Sequence, residues 1–374
     1  MKHVLLGAAL ALAALPASAE TKIGMVTTLS GGGSHLGIDV RDGFLLAMKE
    51  AGDPAEVLVR DDARKPDVAK SHADELLQKE GVQIMTGIIW SNISLALVPP
   101  MVRQGVFYLS PNAGPSQLAG KLCHENYFNV SWQNDNLHEA MGGYMKDQGL
   151  EKPFLLAPNY PAGQDSMTGF KRMFGDAHGE IFTKLGQTDY AAEIAQIRAS
   201  GADSVFFFLP GGMGIAFTKQ YASSGVGLPL YGPAFSFDEV ILGAVGDSAL
   251  GVFNTSQWAH DLDNAANKAF VAAFQAEYGR MPTLYASQGY DTGRLIASAL
   301  AKADPAADPD GFRAALKAAE FASTRGAFAF NTNNHPIQDI YVREVVTGEG
   351  KPTNRLVGTA IANHRDAYAG DCPL

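Results

Sequence analysis

Lys22-Ile23-Gly24-Met25-Val26-Thr27-Thr28-Leu29-Ser30-Gly31-Gly32-Gly33-Ser34-His35-Leu36-Gly37, continued by Ile38-Asp39-Val40-Arg41-Asp42-Gly43-Phe44-Leu45-Leu46-Ala47-Met48, is the stretch that decides the fold. The apolar residues up to Val26 suit a buried parallel strand, and the small residues Ser30 to Gly33 end it. Ile38, Phe44, Leu45 and Met48 then recur at helical spacing, so the unit reads strand, glycine loop, helix. The first N–H groups of such a helix have no intrahelical partner and carry partial positive charge, which makes them a seat for a carboxylate or phosphate. The same glycines would serve a tight turn with no ligand, and this stretch alone leaves both readings open.

Working outward, the pattern repeats. Val57 to Arg60 read as a second strand closed by Asp61-Asp62. Pro66 opens a helix whose apolar face is Val68, Ala69, Ala73, Leu76 and Leu77. Val82 to Ile89 read as a third strand ending at Trp90-Ser91-Asn92, and Val106 to Leu109 as a fourth. The helix Ile93 to Arg103 contains Pro99-Pro100, which predicts a kink or an early stop. A second series begins near Asn134, with a helix over 134–148 and strands at 154–157, 203–209, 228–232 and 252–258. Two helical stretches run from Asn264 to about Ala303, a short one spans 309–319, and late strands lie at 327–330 and 340–346. Such alternation builds doubly wound parallel sheets covered by helices, an α/β fold, and the length calls for two lobes.

Composition narrows the function. Residues 1–19 read as a secretory signal peptide: Lys2 and His3, an apolar run from Val4 to Leu15 too short to span a bilayer, and the cleavage site Ala17-Ser18-Ala19. No later segment is apolar for long enough to insert in a membrane. The formal charge of −10 and the lack of a Lys/Arg cluster argue against nucleic acid. Cys123 and Cys372 are an even count in a compartment that permits disulfides, so a bridge is expected, with two buried thiols as the alternative. Their spacing is too wide for a zinc site of their own, and no metal or cofactor is expected.

Ligands of doubly wound sheets bind at the carboxyl ends of the strands. The loops there carry hydroxyls, amides, glycines and aromatic rings rather than paired acids, which suits holding a small molecule. Enzymatic signatures are missing. The glycine loop puts Leu36 where a dinucleotide fingerprint wants its last glycine, and there is no Walker lysine, G-x-S-x-G or H-E-x-x-H. His35, His260 and His335 are isolated in sequence.

Taken in order, Lys22-Ile23-Gly24, Leu29-Ser30-Gly31, Gly37, Gly43, Asp61-Asp62, Pro66, Gly87, Ser91, Ser110-Pro111, Gly232-Pro233, Tyr285 and Tyr290-Asp291 make nearly the whole chain resemble a known family. It is similar to the type I periplasmic solute-binding proteins of ABC transporters, in the leucine/isoleucine/valine-binding family. The resemblance implies a two-lobe trap hinged by three crossing segments, with lobe one at 20–133 plus 263–336 and lobe two at 134–262 plus 337–374. It also implies a periplasmic monomer that is not an enzyme and that hands a small carboxylate to an ABC permease by hinge closure. Rival readings are a branched-chain or other amino-acid receptor of the same class, a subunit feeding a sensor, and an exported α/β enzyme.

By position, the resemblance gives Ser91 the role of meeting the ligand carboxylate. Asn112 and Gly114 supply contacts after the fourth strand, Leu36 a bulky wall, and Tyr160 with Gly211 and Gly212 the lobe-two contacts. Trp90, His35 and Tyr285 complete the set. A short disulfide of the family is replaced by Arg64 and Trp90. Amino-acid-binding members carry an acid directly after Gly-Pro for the ligand's ammonium. Here Gly232-Pro233 runs into Ala234-Phe235-Ser236-Phe237, and Asp238 is the nearest acid. A buried ammonium without a counter-charge is costly. Phe235 and Phe237, with Trp90, Tyr160 and Trp258, therefore point to an aromatic acid, and the chain looks like the aromatic-acid-binding branch.

Overall fold

The computed structural model describes residues 21–374, so the signal sequence expected over 1–19 lies outside the described residues. The opening strand β1 (Lys22–Thr27) pairs in parallel with β2 (Glu56–Asp61), Lys22 opposite Glu56 and Thr27 opposite Asp61, and on its other side with β3 (Ile84–Thr86). Next come β4 (Phe107–Ser110) and β5 (Tyr127–Asn129), giving the order β2-β1-β3-β4-β5. Helices α1 (Ser34–Glu50), α2 (Pro66–Gln78), α3 (Ser91–Arg103) and the short α4 (Ser116–Ala119) make the crossovers.

The second sheet takes β6 (Pro153–Pro158), β7 (Gly179–Thr183), β8 (Ser204–Phe207), β9 (Leu230–Pro233) and β10 (Phe253–Ser256), with α5 (Asn136–Asp147), α6 (Pro161–Phe174), α7 (Ala191–Ser200), α8 (Gly212–Ser224) and α9 (Glu239–Val245) between or before them. Its order is β11-β12-β10-β9-β8-β6-β7, where β11 (Phe328–Phe330) and β12 (Pro336–Gly348) are antiparallel and β13 (Lys351–His364) forms a hairpin with β12. The remaining helices, α10 (Ala265–Tyr278), α11 (Leu284–Leu300) and α12 (Pro309–Ala318), return to the first lobe. There α1 and α11 lie so close that a Cβ on Gly43 would sit 2.0 Å from the Ala286 carbonyl oxygen, and one on Gly289 would sit 2.2 Å from that of Val40. Only glycine permits this approach. Arg280 crosses the same seam to Asp39 and Asp42. The chain passes between the two sheets through 129–136, through 256–265 and again between α12 and β12.

Two local expectations are corrected. Helix α3 runs unbroken through Pro99 and Pro100. The carbonyls deprived of partners belong to half-buried Leu95 and exposed Ala96, where water can reach them, while Ile93, Leu97, Val98, Met101 and Val102 anchor the opposite face. Strand β3 is only Ile84–Thr86; residues up to Trp90 stay buried but leave the ladder as they approach the cavity described next. Cys123 and Cys372 are joined by a disulfide, with their Cα atoms 5.7 Å apart.

Candidate functional site

Between the lobes lies a cavity with about 380 Å³ of empty space that opens to solvent. Its lobe-one wall is built by the loop that closes β3. Trp90 is placed by a relay: its indole N–H donates to Thr28 Oγ1 at 3.0 Å, and that hydroxyl donates to Asp62 Oδ1 at 2.7 Å. Burial raises the Asp62 carboxyl, against the opposing hydrogen bonds from Thr28 and the Arg64 N–H. The Arg64 guanidinium lies 5.4 Å from the centre of the Trp90 ring, a cation–π contact.

Ser91 follows as the first residue of α3, whose opening N–H groups have no side-chain cap. The Ser91 hydroxyl oxygen accepts from Asn134 Nδ2 at 3.2 Å, which leaves its own proton free to donate into the cavity. Asn134 is locked in turn, donating to Asp165 Oδ2 at 2.9 Å and accepting from the Gly114 N–H at 3.2 Å. The Asn112 amide braces the wall from behind, donating to the Ile89 carbonyl at 2.7 Å and accepting from Gln288 at 2.7 Å.

The body of the cavity is aromatic. Trp132 and Phe235 have ring centroids 4.5 Å apart, Phe208 meets Phe235 edge-on at 5.6 Å, and Tyr160 faces Trp90 at 6.4 Å and Phe208 at 6.3 Å. Tyr160 caps the start of α6 just before Pro161, and Phe235 is carried by a tight turn, Ala234–Ser236. The Ser236 hydroxyl in that turn accepts from the Leu209 N–H at 2.9 Å. Tyr285 enters from the first turn of α11, capped by Thr283. Neither the Tyr160 nor the Tyr285 hydroxyl hydrogen-bonds a described residue, and burial pushes both phenols up.

Of the residues expected from sequence, Leu36, Trp90, Ser91, Asn112, Tyr160, Phe235 and Tyr285 line this cavity. Three do not. Gly114 is set back, because a Cβ there would sit 2.0 Å from the Trp132 carbonyl oxygen. Gly212 opens α8 in an adjoining pocket, shared with Arg64, Trp90 and Pro210. His35 points instead at Asp238 of the opposite lobe, Nε2 to Oδ2 3.3 Å. Phe237 and Trp258 are core: Phe237 packs on Phe207, and the Trp258 indole donates to Asn267 at 2.7 Å. Trp132, Asn134, His138 and Phe208 were not anticipated. Trp132 and Asn134 sit on a crossing segment, where periodicity carries no signal, and His138 and Phe208 read as ordinary core of a helix and a strand.

Among the described residues no Asp, Glu, Lys or Arg lines the cavity. The nearby acids are spoken for. Asp165 accepts from the Ser116 N–H at 3.0 Å and hydroxyl at 2.7 Å. Asp238 caps α9 through the Val240 and Ile241 N–H groups. No group of three or more potential metal ligands occurs among the described residues. The arrangement can hold an anion by neutral donors and a helix start, and stack its apolar body between rings.

A family model described as periplasmic binding protein matches residues 20–351. The chain belongs to the periplasmic binding protein family. A Leu/Ile/Val-binding protein homolog of Brucella melitensis is 30% identical over 372 residues, covering 93% of this chain and 94% of the relative. Among solved structures, an ABC-transporter solute-binding protein of R. palustris in complex with benzoate is 30% identical at a TM-score of 0.89, covering 95% of this chain and 100% of its own. A second from R. palustris, in complex with 4-hydroxybenzoate, is 27% identical at 0.85, with coverages of 93% and 98%. These are solute-binding transport proteins on the same two-lobe α/β fold, and the family implies a periplasmic location for this binding protein. No helix among the described residues is long and apolar enough to cross a membrane.

Proposed function

We propose that this binding protein captures a small aromatic carboxylate and delivers it to an ABC permease by closing its lobes on it. The observation that carries the reading is the lining itself: a hydroxyl at a helix start, six aromatic side chains from both lobes, and no acid for an ammonium. Ser91 with the first N–H groups of α3 receives the carboxylate. Trp90, Trp132, Phe208, Phe235 and Tyr160 hold the ring. Contacts on both lobes favour the closed form, which is the differential affinity that hinge closure needs. The solved relatives with benzoate and 4-hydroxybenzoate support the same class of ligand.

The site binds without transforming. The Ser166–His138 pair, 3.0 Å apart, lacks an acid on the imidazole, and Ser166 is sealed from the cavity. The reading includes export by the 1–19 signal segment, lobe boundaries at 20–133 plus 263–336 and 134–262 plus 337–374, and action as a monomer. A thermal-shift panel of aromatic acids against leucine, valine and phenylalanine tests it, because a ligand at 100 times its Kd adds about 2.7 kcal/mol. Aromatic acids are expected to stabilise. Stabilisation by the amino acids alone would replace this reading with an amino-acid receptor.

A further inference from the structure

The cavity contains a hydrogen-bond donor that a carboxylate at Ser91 does not use. His138, on the first turn of α5, is 1% exposed and lies among Phe206, Phe208 and Phe235, with ring centroids 5.7, 5.0 and 6.1 Å away. It reaches the cavity from the second lobe. Its Nδ1 is 3.0 Å from the hydroxyl oxygen of Ser166, which is fully buried on α6. Ser166 has no other acceptor among the described residues, so its proton is donated to Nδ1. A neutral imidazole with Nδ1 accepting carries its hydrogen on Nε2. Burial among rings keeps the imidazole neutral, pulling its pKa down to about 3. Nε2 has no protein partner among the described residues. The result is a fixed N–H directed into an aromatic chamber, and an unpaired buried donor is costly.

We propose that His138 Nε2–H donates to an oxygen carried on the ligand's ring, so that the preferred solutes are hydroxy- or methoxy-substituted aromatic acids rather than unsubstituted ones. The inference rests on the aromatic-acid reading and refines it. The carboxylate is held from the first lobe at Ser91 and the ring oxygen from the second at His138, so such a ligand ties the lobes together by both ends. Tyr160 and Tyr285 also present unpaired hydroxyls, but these rotate and serve as donor or acceptor. The imidazole is held in one tautomer by Ser166, which is a positioning residue.

Calorimetry on the mature protein with benzoate, 3- and 4-hydroxybenzoate and 4-methoxybenzoate provides the test. At least one oxygenated acid is expected to bind about three- to tenfold or more tightly than benzoate, the worth of one well-placed hydrogen bond. In His138→Phe that preference, read as the ratio of the two affinities within the same variant, should collapse to within about twofold. Ser166→Ala should narrow the preference and Ser166→Thr restore it, which keeps the test open if His138→Phe does not fold. Imidazole ¹⁵N spectra of the wild type should show the proton on Nε2. Benzoate binding as tightly as every oxygenated acid, or a preference that survives both His138→Phe and Ser166→Ala, would overturn the inference and leave the aromatic-acid reading standing. Failure of every aromatic acid to bind the wild type would bring down that reading and the inference with it.

Discussion

His35 Nε2, on the first turn of α1, lies 3.3 Å from Asp238 Oδ2, the residue that caps α9 in the other lobe. The pair spans the cleft, so it exists only when the lobes are together. Burial pulls the His35 pKa down, but the charge and hydrogen bond of Asp238, with Asp39 behind, outweigh it and leave it above 6.5. A raised histidine contributes in full below about 6.5, and the contribution is lost as the pH rises through the raised value. Ligand affinity should therefore fall roughly two- to fivefold from pH 6 to pH 8. Asp39, pushed up to about 6 by burial against Arg280 and Thr283, titrates in the same window. The control is His35→Gln, measured by calorimetry across the range: a pH dependence unchanged by the substitution would assign the effect to Asp39 instead.

The disulfide between Cys123 and Cys372 closes a sequence separation of 249 residues and ties the C-terminal segment to the turn after α4. Such a cross-link restricts the unfolded chain strongly. Cys372→Ser should lower unfolding free energy by about 2–5 kcal/mol. Neither cysteine lines the cavity, so ligand affinity should hold. Urea melts with and without reductant, beside calorimetry, decide it; equal melts would mean the bridge contributes nothing.

Arg325 and Asp291 form an ion pair with both side chains fully buried, Nε to Oδ2 2.9 Å. The same guanidinium donates to the Ser131 carbonyl at 3.0 Å and Gln338 Oε1 at 2.9 Å, and so touches the first crossing segment and the start of β12. Burial lowers the Arg325 pKa and Asp291 opposes that shift. Asp291→Ala strands the cation, at a cost of about 3–5 kcal/mol in denaturant unfolding. The exposed Lys70–Asp74 pair is the contrast, where loss should fall below about 1 kcal/mol.

Much of this was legible because period and punctuation agree. The run from Lys22 to Met48, the Pro66 helix start and the small residues closing each strand gave β1, α2 and the sheet edge where the cavity opens. Ser91, Trp90, Tyr160 and Phe235 could be found because they follow strands, where a doubly wound sheet presents its ligand. What escaped has physical reasons. Strand β13 is polar and mostly exposed, so it shows no clean alternation. β5 has only three residues, and β7 is an edge strand with little of it buried. Pro99-Pro100 was read by local sterics, whereas tertiary packing of the α3 apolar face prevails. Phe237 and Trp258 looked equivalent to Phe235 in sequence, but only the tight turn Ala234–Ser236 shows which ring faces inward.

Ser91 carries the sharpest consequence for binding. Its oxygen already accepts from Asn134, so its proton is free for a carboxylate, and it opens a helix whose first N–H groups have no side-chain cap. Hydrogen bonds to a charged group are worth about 1.5–3 kcal/mol, so Ser91→Ala should weaken benzoate-like acids by roughly ten- to a hundredfold. The neutral amide analogue, already weak, should lose little. Trp132→Ala removes a wall from acid and amide alike, so both should weaken together. The two variants thus separate the seat for charge from the seat for the ring. Calorimetry with benzoate and benzamide makes the comparison. Wild-type affinity of Ser91→Ala for the acid would move the carboxylate elsewhere in the cavity, with the free hydroxyls of Tyr160 and Tyr285 next in line.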